Sequence, residues 1–169
     1  MKTLILSCNT GEGHNSCAKA IKEYYDTVGD ECVIKDGLEF ISPKVSNFIS
    51  WGHTFIYRHL PLLFKYGYVY IEKHPTMFKE GSFVYRFITR GTERMYTCIC
   101  DEQYDIIICT HVFASLMLTD MLKKHPMNQP TALVSTDYTC SPSTKDSNLD
   151  YYFIPDDEFA TDFECRTIT

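Results

Sequence analysis

The 169 residues are 44% apolar and 22% charged, the composition of an ordinary globular protein, which excludes a disordered or collagen-like chain. Sixteen Lys and Arg against 22 Asp and Glu leave a net charge of −6, so a surface built to coat nucleic acid is excluded and any basic site must be local. No run approaches the ~18 apolar residues of a membrane-spanning helix, and the apolar stretch before Asn9 is too short for a signal peptide.

In chain order, residues 2–8 form a short apolar run that ends at Gly11 and Gly13, the pattern of a buried strand entering a tight turn. Cys17, Ile21, Tyr24 and Val28 then recur at helical spacing, with Lys19, Lys22, Glu23 and Asp26 on the opposite face and Gly29 as the stop. Residues 32–36 read as a second strand, which completes a right-handed βαβ unit. Residues 39–100 are expected to be mostly helical, broken near Pro43, Pro61, Gly67, Pro75 and Gly81, with residues 68–71 as the one candidate strand. Residues 104–109 are the clearest buried strand, and a helical pattern runs from Ala114 to Lys124. Strands follow at 130–135 and 151–154, separated by a polar loop over 140–150. Strands alternating with helices predict an α/β fold, a Rossmann-like parallel sheet with helices on both faces and a helix-rich insertion, in a single domain over residues 1–169.

Charge and aromatic residues are unevenly spread. Residues 51–100 carry 7 basic and 3 acidic side chains inside an acidic protein, and hold 12 of the 24 aromatic residues. Arg86, Arg90 and Arg94, spaced by four, stack on one face of a helix beside Phe83 and Phe87. Such a stripe suits either a solvated helix face or an anionic membrane surface, and the aromatic-basic run from His53 to Lys79 favours the membrane. The eight cysteines are read as reduced thiols, and none is spaced for a zinc site, so neither metal nor cofactor is expected.

Ligands of parallel α/β sheets bind beyond the carboxyl ends of the strands. The residues at those ends are Asn9 to His14, Asp36, Thr110-His111 and Thr136-Asp137. Gly11 and Gly13 serve either a tight turn or the close approach of a ligand to the helix start. His14, in the first helical turn, is a candidate base for a substrate hydroxyl, and His111 a candidate for shaping the same site. His53, His59, His74 and His125 are expected at the surface or half-buried. Gly11-x-Gly13-x-x-Ser16 with Asp36 leaves an NAD(P)-binding oxidoreductase open as an alternative, although the third glycine of that fingerprint is missing.

The residues from Leu4 through Thr-Gly-Glu-Gly-His14-Asn-Ser to Ile21, then Ile107-Ile-Cys-Thr-His111, Thr136-Asp-Tyr138 and Tyr152-Phe-Ile-Pro155, resemble in that order the N-terminal domain of the monogalactosyldiacylglycerol synthase family, which includes processive diacylglycerol glucosyltransferases. The resemblance implies the N-terminal half of a two-domain GT-B glycosyltransferase that works without a metal. It implies transfer of a hexose from a UDP-sugar to diacylglycerol, with His14 as base and with Gly11, Gly13, Asn15, His111 and Asp137 at the acceptor. It further implies a peripheral position on the inner face of the cell membrane, where the pattern of Phe83, Arg86, Phe87, Arg90 and Arg94 is expected to meet anionic lipid. Many relatives carry a histidine and a tryptophan after Thr-Asp-Tyr, where this chain reads Thr139-Cys-Ser-Pro-Ser143. On the same resemblance, UDP-sugar is held by a second domain beyond Thr169, and the 169 residues alone are expected to be inactive. A non-catalytic lipid-binding module is the remaining alternative.

Overall fold

Leu4, Ile5 and Leu6 are all fully buried, so the first strand, β1 (Lys2–Ser7), has both faces covered and takes a central place. The structure is a computed structural model that describes residues 1–138 and 140–164. Helix α1 (Glu12–Val28) follows and stops at Gly29, whose φ of 80° is the left-handed conformation that glycine adopts without cost. Strand β2 (Glu31–Asp36) returns parallel to β1 and pairs Ile34 with Ile5. Strands β3 (Ile106–Cys109), β4 (Thr131–Val134) and β5 (Tyr151–Phe153) complete a five-stranded sheet of order β2-β1-β3-β4-β5, parallel throughout. This is the Rossmann-like α/β architecture expected from the alternation of strands and helices.

One sheet face packs Ile5, Ile108 and Ala132 against Ala18 of α1. The other face carries Leu4, Leu6, Ile107 and Leu133 and packs into the larger core, with Leu116, Met117, Leu118 and Met121 of helix α6 (Val112–Lys124). Between β2 and β3 lie helices α2 (Pro43–His59), α3 (Pro61–Lys73), α4 (Phe83–Ile88) and α5 (Thr92–Glu102). Pro43 and Pro61 occupy the first turns of α2 and α3, where proline loses no hydrogen bond. In the polar loop before β5 the chain makes a short helix, α7 (Pro142–Lys145), which Ser141 caps by accepting from the Thr144 N–H. Helix α8 (Ala160–Glu164) ends the described chain.

Two expectations from the sequence are corrected. Residues 68–71 lie inside α3 and not in a strand, because the helix begun at Pro61 runs through Gly67 without a break. Arg86, Arg90 and Arg94 do not share one helix face. Helix α4 ends at Ile88, a 3-10 turn spans Thr89–Gly91, and α5 restarts at Thr92. Gly91 closes that turn with its backbone pressed on the core: a Cβ there would sit 2.8 Å from both Phe40 Cβ and Met117 Sδ. Arg94 is turned away, its guanidinium donating to the Ile41 carbonyl at 3.1 Å. Phe83, Arg86, Phe87 and Arg90 do stay together around an open groove of about 500 Å³.

The insertion is pinned to α6 by a buried carboxylate. Asp120 accepts from the Tyr85 hydroxyl (3.1 Å) and the Thr92 hydroxyl (2.8 Å), and pairs with Lys124 at 2.7 Å. Burial and the Asp120 charge hold the Tyr85 phenol well above its ordinary pKa, so it remains a donor. Asp120→Ala leaves the buried Tyr85 hydroxyl without an acceptor, while the Thr92 hydroxyl keeps the Thr89 carbonyl at 2.7 Å, and should cost about 2 kcal/mol, lowering Tm by about 4–8 °C. Asp120→Asn should cost clearly less, because its amide oxygen still accepts; thermal denaturation of the two variants checks this.

Candidate functional site

From β1 the chain leaves to β2 on one side of the sheet, whereas β3 lies on the other, so the loops after β1 and β3 part at their carboxyl ends. That is the switch point at which open parallel sheets hold ligands. The loop after β1 is a tight turn in which the Thr10 N–H donates to the Cys8 carbonyl at 2.8 Å, and α1 starts with no side-chain cap on its first N–H groups. Gly11 has an extended φ of 175°, which any residue adopts, and a Cβ at Gly11 or Gly13 would meet nothing within 4 Å. Neither fold strain nor packing demands these glycines; what they leave is open space above the helix start.

His14, in the first turn of α1, and His111, at the start of α6, meet across the switch point. Their ring centroids are 4.5 Å apart and their planes cross at 69°. His14 Nδ1 lies 2.8 Å from the Thr110 carbonyl oxygen and 2.8 Å from Thr136 Oγ1. A carbonyl only accepts, so Nδ1 carries the hydrogen and shares it between the two oxygens. The lone pair therefore sits on Nε2, which has no hydrogen-bond partner among the described residues.

His111 has the opposite tautomer. Its Nδ1 accepts from the Phe113 N–H at 3.1 Å and caps α6, so Nε2 carries the hydrogen and donates to Thr10 Oγ1 at 2.9 Å. The ring is 6% exposed. Burial first, then the neighbouring His14 and His53, push its pKa well below the usual histidine value. Both nitrogens are committed, which leaves His111 a wall and a brace with no lone pair to offer a substrate.

The other sequence candidates fall around this pair. Asn15 braces the loop, accepting from Ser7 Oγ (2.9 Å) and donating to Asn9 Oδ1 (3.2 Å). Asp137 follows Thr136 on the rim, half-buried, and its carboxylate has no hydrogen-bond partner among the described residues. Asp36 is occupied by its own chain, accepting from the Leu38 N–H (2.8 Å) and the Ser46 hydroxyl (2.5 Å), so both of its oxygens already hold the β2 to α2 connection. The Arg86–Arg90 groove is a separate feature of the insertion. Cys8, Cys17, Cys32, Cys98, Cys100 and Cys109 are free thiols, while Cys165 and Thr139 lie outside the described residues. Among the described residues no group of His, Cys, Asp and Glu could hold a metal ion.

Three contributors escaped the sequence reading. Thr10, Thr110 and Thr136 orient the two imidazoles, and their only signal was a place in the strand-end motifs. His53 of α2 is close enough to His14 and His111 for their charges to interact, although it is far from both in sequence.

The comparisons add one match. The family described as monogalactosyldiacylglycerol (MGDG) synthase covers residues 14–169, a span that begins at His14 itself. A search of curated proteins and one of solved structures each found no match.

Because the folded state keeps His111 neutral, an unfolded chain takes up a proton near pH 6.5 that the folded one refuses. Stability should therefore be complete above that pH and fall as the solution is acidified below it. His111→Asn, whose amide oxygen can still cap α6, should flatten this slope; urea denaturation between pH 7.5 and 5 checks both outcomes.

Proposed function

The chain belongs to the MGDG synthase family, whose members make glycolipid by glycosyl transfer, and from that premise we propose that its switch-point rim is the acceptor side of hexose transfer from a UDP-sugar to diacylglycerol. The observation that carries the reading is the tautomer of His14. With Nδ1–H anchored on Thr110 and Thr136, the lone pair is left on Nε2, which no described residue occupies, on a helix start where Gly11 and Gly13 leave open space.

A lipid hydroxyl is a poor nucleophile at neutral pH and needs a positioned base. His14 Nε2 takes the hydroxyl proton while the oxygen attacks the anomeric carbon. The bond from that carbon to the UDP oxygen breaks, and UDP leaves with the electron pair. The charge that develops on the imidazole is met by the Thr110 carbonyl and Thr136 hydroxyl at Nδ1. Gly11 and Gly13 give the acceptor room, Asn15 holds their loop, and His111 walls the site without competing for the proton. UDP-sugar is assigned to the donor domain of a GT-B enzyme, and Asp137 to the rim facing it.

The acceptor reaches the rim from a membrane surface. Helix α3 has no buried residue although it reads Leu62, Leu63, Phe64, Tyr66, Tyr68, Val69, Tyr70, Ile71, and Leu62 and Tyr66 are each 69% exposed. Along α2 the rings of Phe48, Trp51, Phe55 and His59 follow one another, with Trp51 and Phe55 stacked at 5.3 Å. Arg58, Lys65, Lys73 and Lys79 are exposed in and beside the hairpin. No described helix is long and apolar enough to cross a membrane, so this hairpin is suited to lie in the headgroup region of an anionic bilayer. Phe83, Arg86, Phe87 and Arg90 extend the face, and Arg94 contributes little because it holds Ile41.

Hexose transfer from UDP-hexose to diacylglycerol, measured with the donor domain present, tests the base. His14→Ala should fold, still bind vesicles and lose about 10²–10⁴-fold in rate, whereas His111→Asn should lose less. Retention of more than a tenth of the parental turnover by His14→Ala would remove His14 from the chemistry. For the membrane face, Trp51→Ser, Leu62→Ser and Tyr66→Ser together should weaken sedimentation with anionic vesicles by on the order of a hundredfold, and Arg94→Ala by less than twofold.

A further inference from the structure

The loop after β1 holds one side chain outward. The Thr10 N–H donates to the Cys8 carbonyl at 2.8 Å, which closes a three-residue turn with Asn9 at its tip, so Cys8 and Thr10 are buried on either side while Asn9 is exposed. The Asn9 amide is also fixed in direction. The Ser7 hydroxyl, on a residue 2% exposed, donates to Asn15 Oδ1 at 2.9 Å, which leaves Asn15 Nδ2 to donate to Asn9 Oδ1 at 3.2 Å. With its oxygen held, Asn9 presents the two hydrogens of Nδ2, and no acceptor among the described residues takes either. The turn is tied to the histidine pair on both sides. Asn15 follows His14 in α1, and Thr10 Oγ1 lies 2.9 Å from Nε2 of His111, whose ring centroid is 4.5 Å from that of His14.

Resting on the acceptor reading above, we infer that Asn9 is a further residue of the acceptor site, its amide hydrogens donating to an ester carbonyl beside the reacting hydroxyl of the lipid. The assignment follows from what a diacylglycerol asks of its site. Its hydroxyl gives a proton to His14 Nε2, and its ester carbonyls only accept, so they need donors that the protein has not already spent. The imidazole hydrogens are spent, that of His14 on Thr110 and Thr136 and that of His111 on Thr10. The Ser7 hydroxyl and one hydrogen of the Asn15 amide are spent on the turn itself, and what the turn then offers outward is Asn9 Nδ2. A glycerolipid whose chains are joined by ether bonds has no such carbonyl, so Asn9 is a determinant of specificity for ester-linked acceptors.

The probes are vesicles of ether-linked phosphatidylcholine carrying dioleoylglycerol, the same vesicles carrying a dialkylglycerol, and vesicles with neither, each titrated with the 169-residue protein. The carrier lipid then brings no ester of its own. The parent should bind dioleoylglycerol vesicles about fivefold better than dialkylglycerol vesicles, the effect of one neutral hydrogen bond. Asn9→Asp keeps the oxygen that Asn15 holds and removes the amide hydrogens, so it should lose that preference, and Asn9→Ala should lose it too. The preference is a ratio taken within each protein, which a general loss of stability does not change, and adsorption to vesicles with neither lipid should stay within twofold of the parent. If the parent binds dioleoylglycerol vesicles no better than plain ones, the acceptor reading falls and Asn9 with it. If the parent does recognise dioleoylglycerol but treats the ether lipid equally, or if either variant keeps the preference, the assignment of Asn9 alone is overturned.

Discussion

The hydrogen on His14 Nδ1 is shared with two oxygens that lie 96 and 122 residues further along the chain. That bond can form only if β1, β3 and β4 end at one rim, which the order β2-β1-β3-β4-β5 and its parallel register bring about. Everything chemical in the site follows from it. A neutral imidazole has one hydrogen and one lone pair, and fixing the hydrogen on the inner nitrogen assigns the lone pair to the outer one. His111 shows the reverse case a ring's width away. Its lone pair caps α6 and its hydrogen is spent on Thr10, so of two neighbouring histidines one keeps an unpartnered nitrogen and the other has none, through their hydrogen bonds alone.

The insertion depends on the same scaffold. Asp36 at the end of β2 holds Ser46 at the start of α2, while Asp120 of α6 holds Tyr85 and Thr92 at the two sides of the Gly91 bend. Between these anchors α2 and α3 are left with apolar and aromatic surface that no described residue covers. On the function proposed above, a lipid surface covers this face and the hairpin brings acceptor molecules to the rim.

The parts of this architecture that were legible in the sequence are those governed by local rules. Central strands covered on both faces read as short apolar runs, Gly29 marks a helix end, and a Gly-x-Gly-His sequence after a strand places His14 at a helix start. The Arg86, Arg90, Arg94 stripe failed because spacing by four implies one face only if the helix is continuous, and here it is interrupted over Thr89–Gly91, where Gly91 lies against Phe40 and Met117, both remote in sequence. Residues 68–71 misled in a similar way, since alternating tyrosines imitate a strand when a helix has no buried side to set its period. The threonines that set the tautomers were invisible as individuals, one of them acting through a backbone carbonyl that every residue possesses.

The most direct measurement of the central claim is the tautomer of His14, read from the imidazole ¹⁵N shifts of the protein at pH 8, with His14→Ala used for assignment. The account requires hydrogen on Nδ1 and a bare Nε2 for His14, and the inverse pattern for His111. A His14 ring that carries its hydrogen on Nε2 would contradict it, for the nitrogen without a partner would then have no lone pair with which to take a proton from an acceptor.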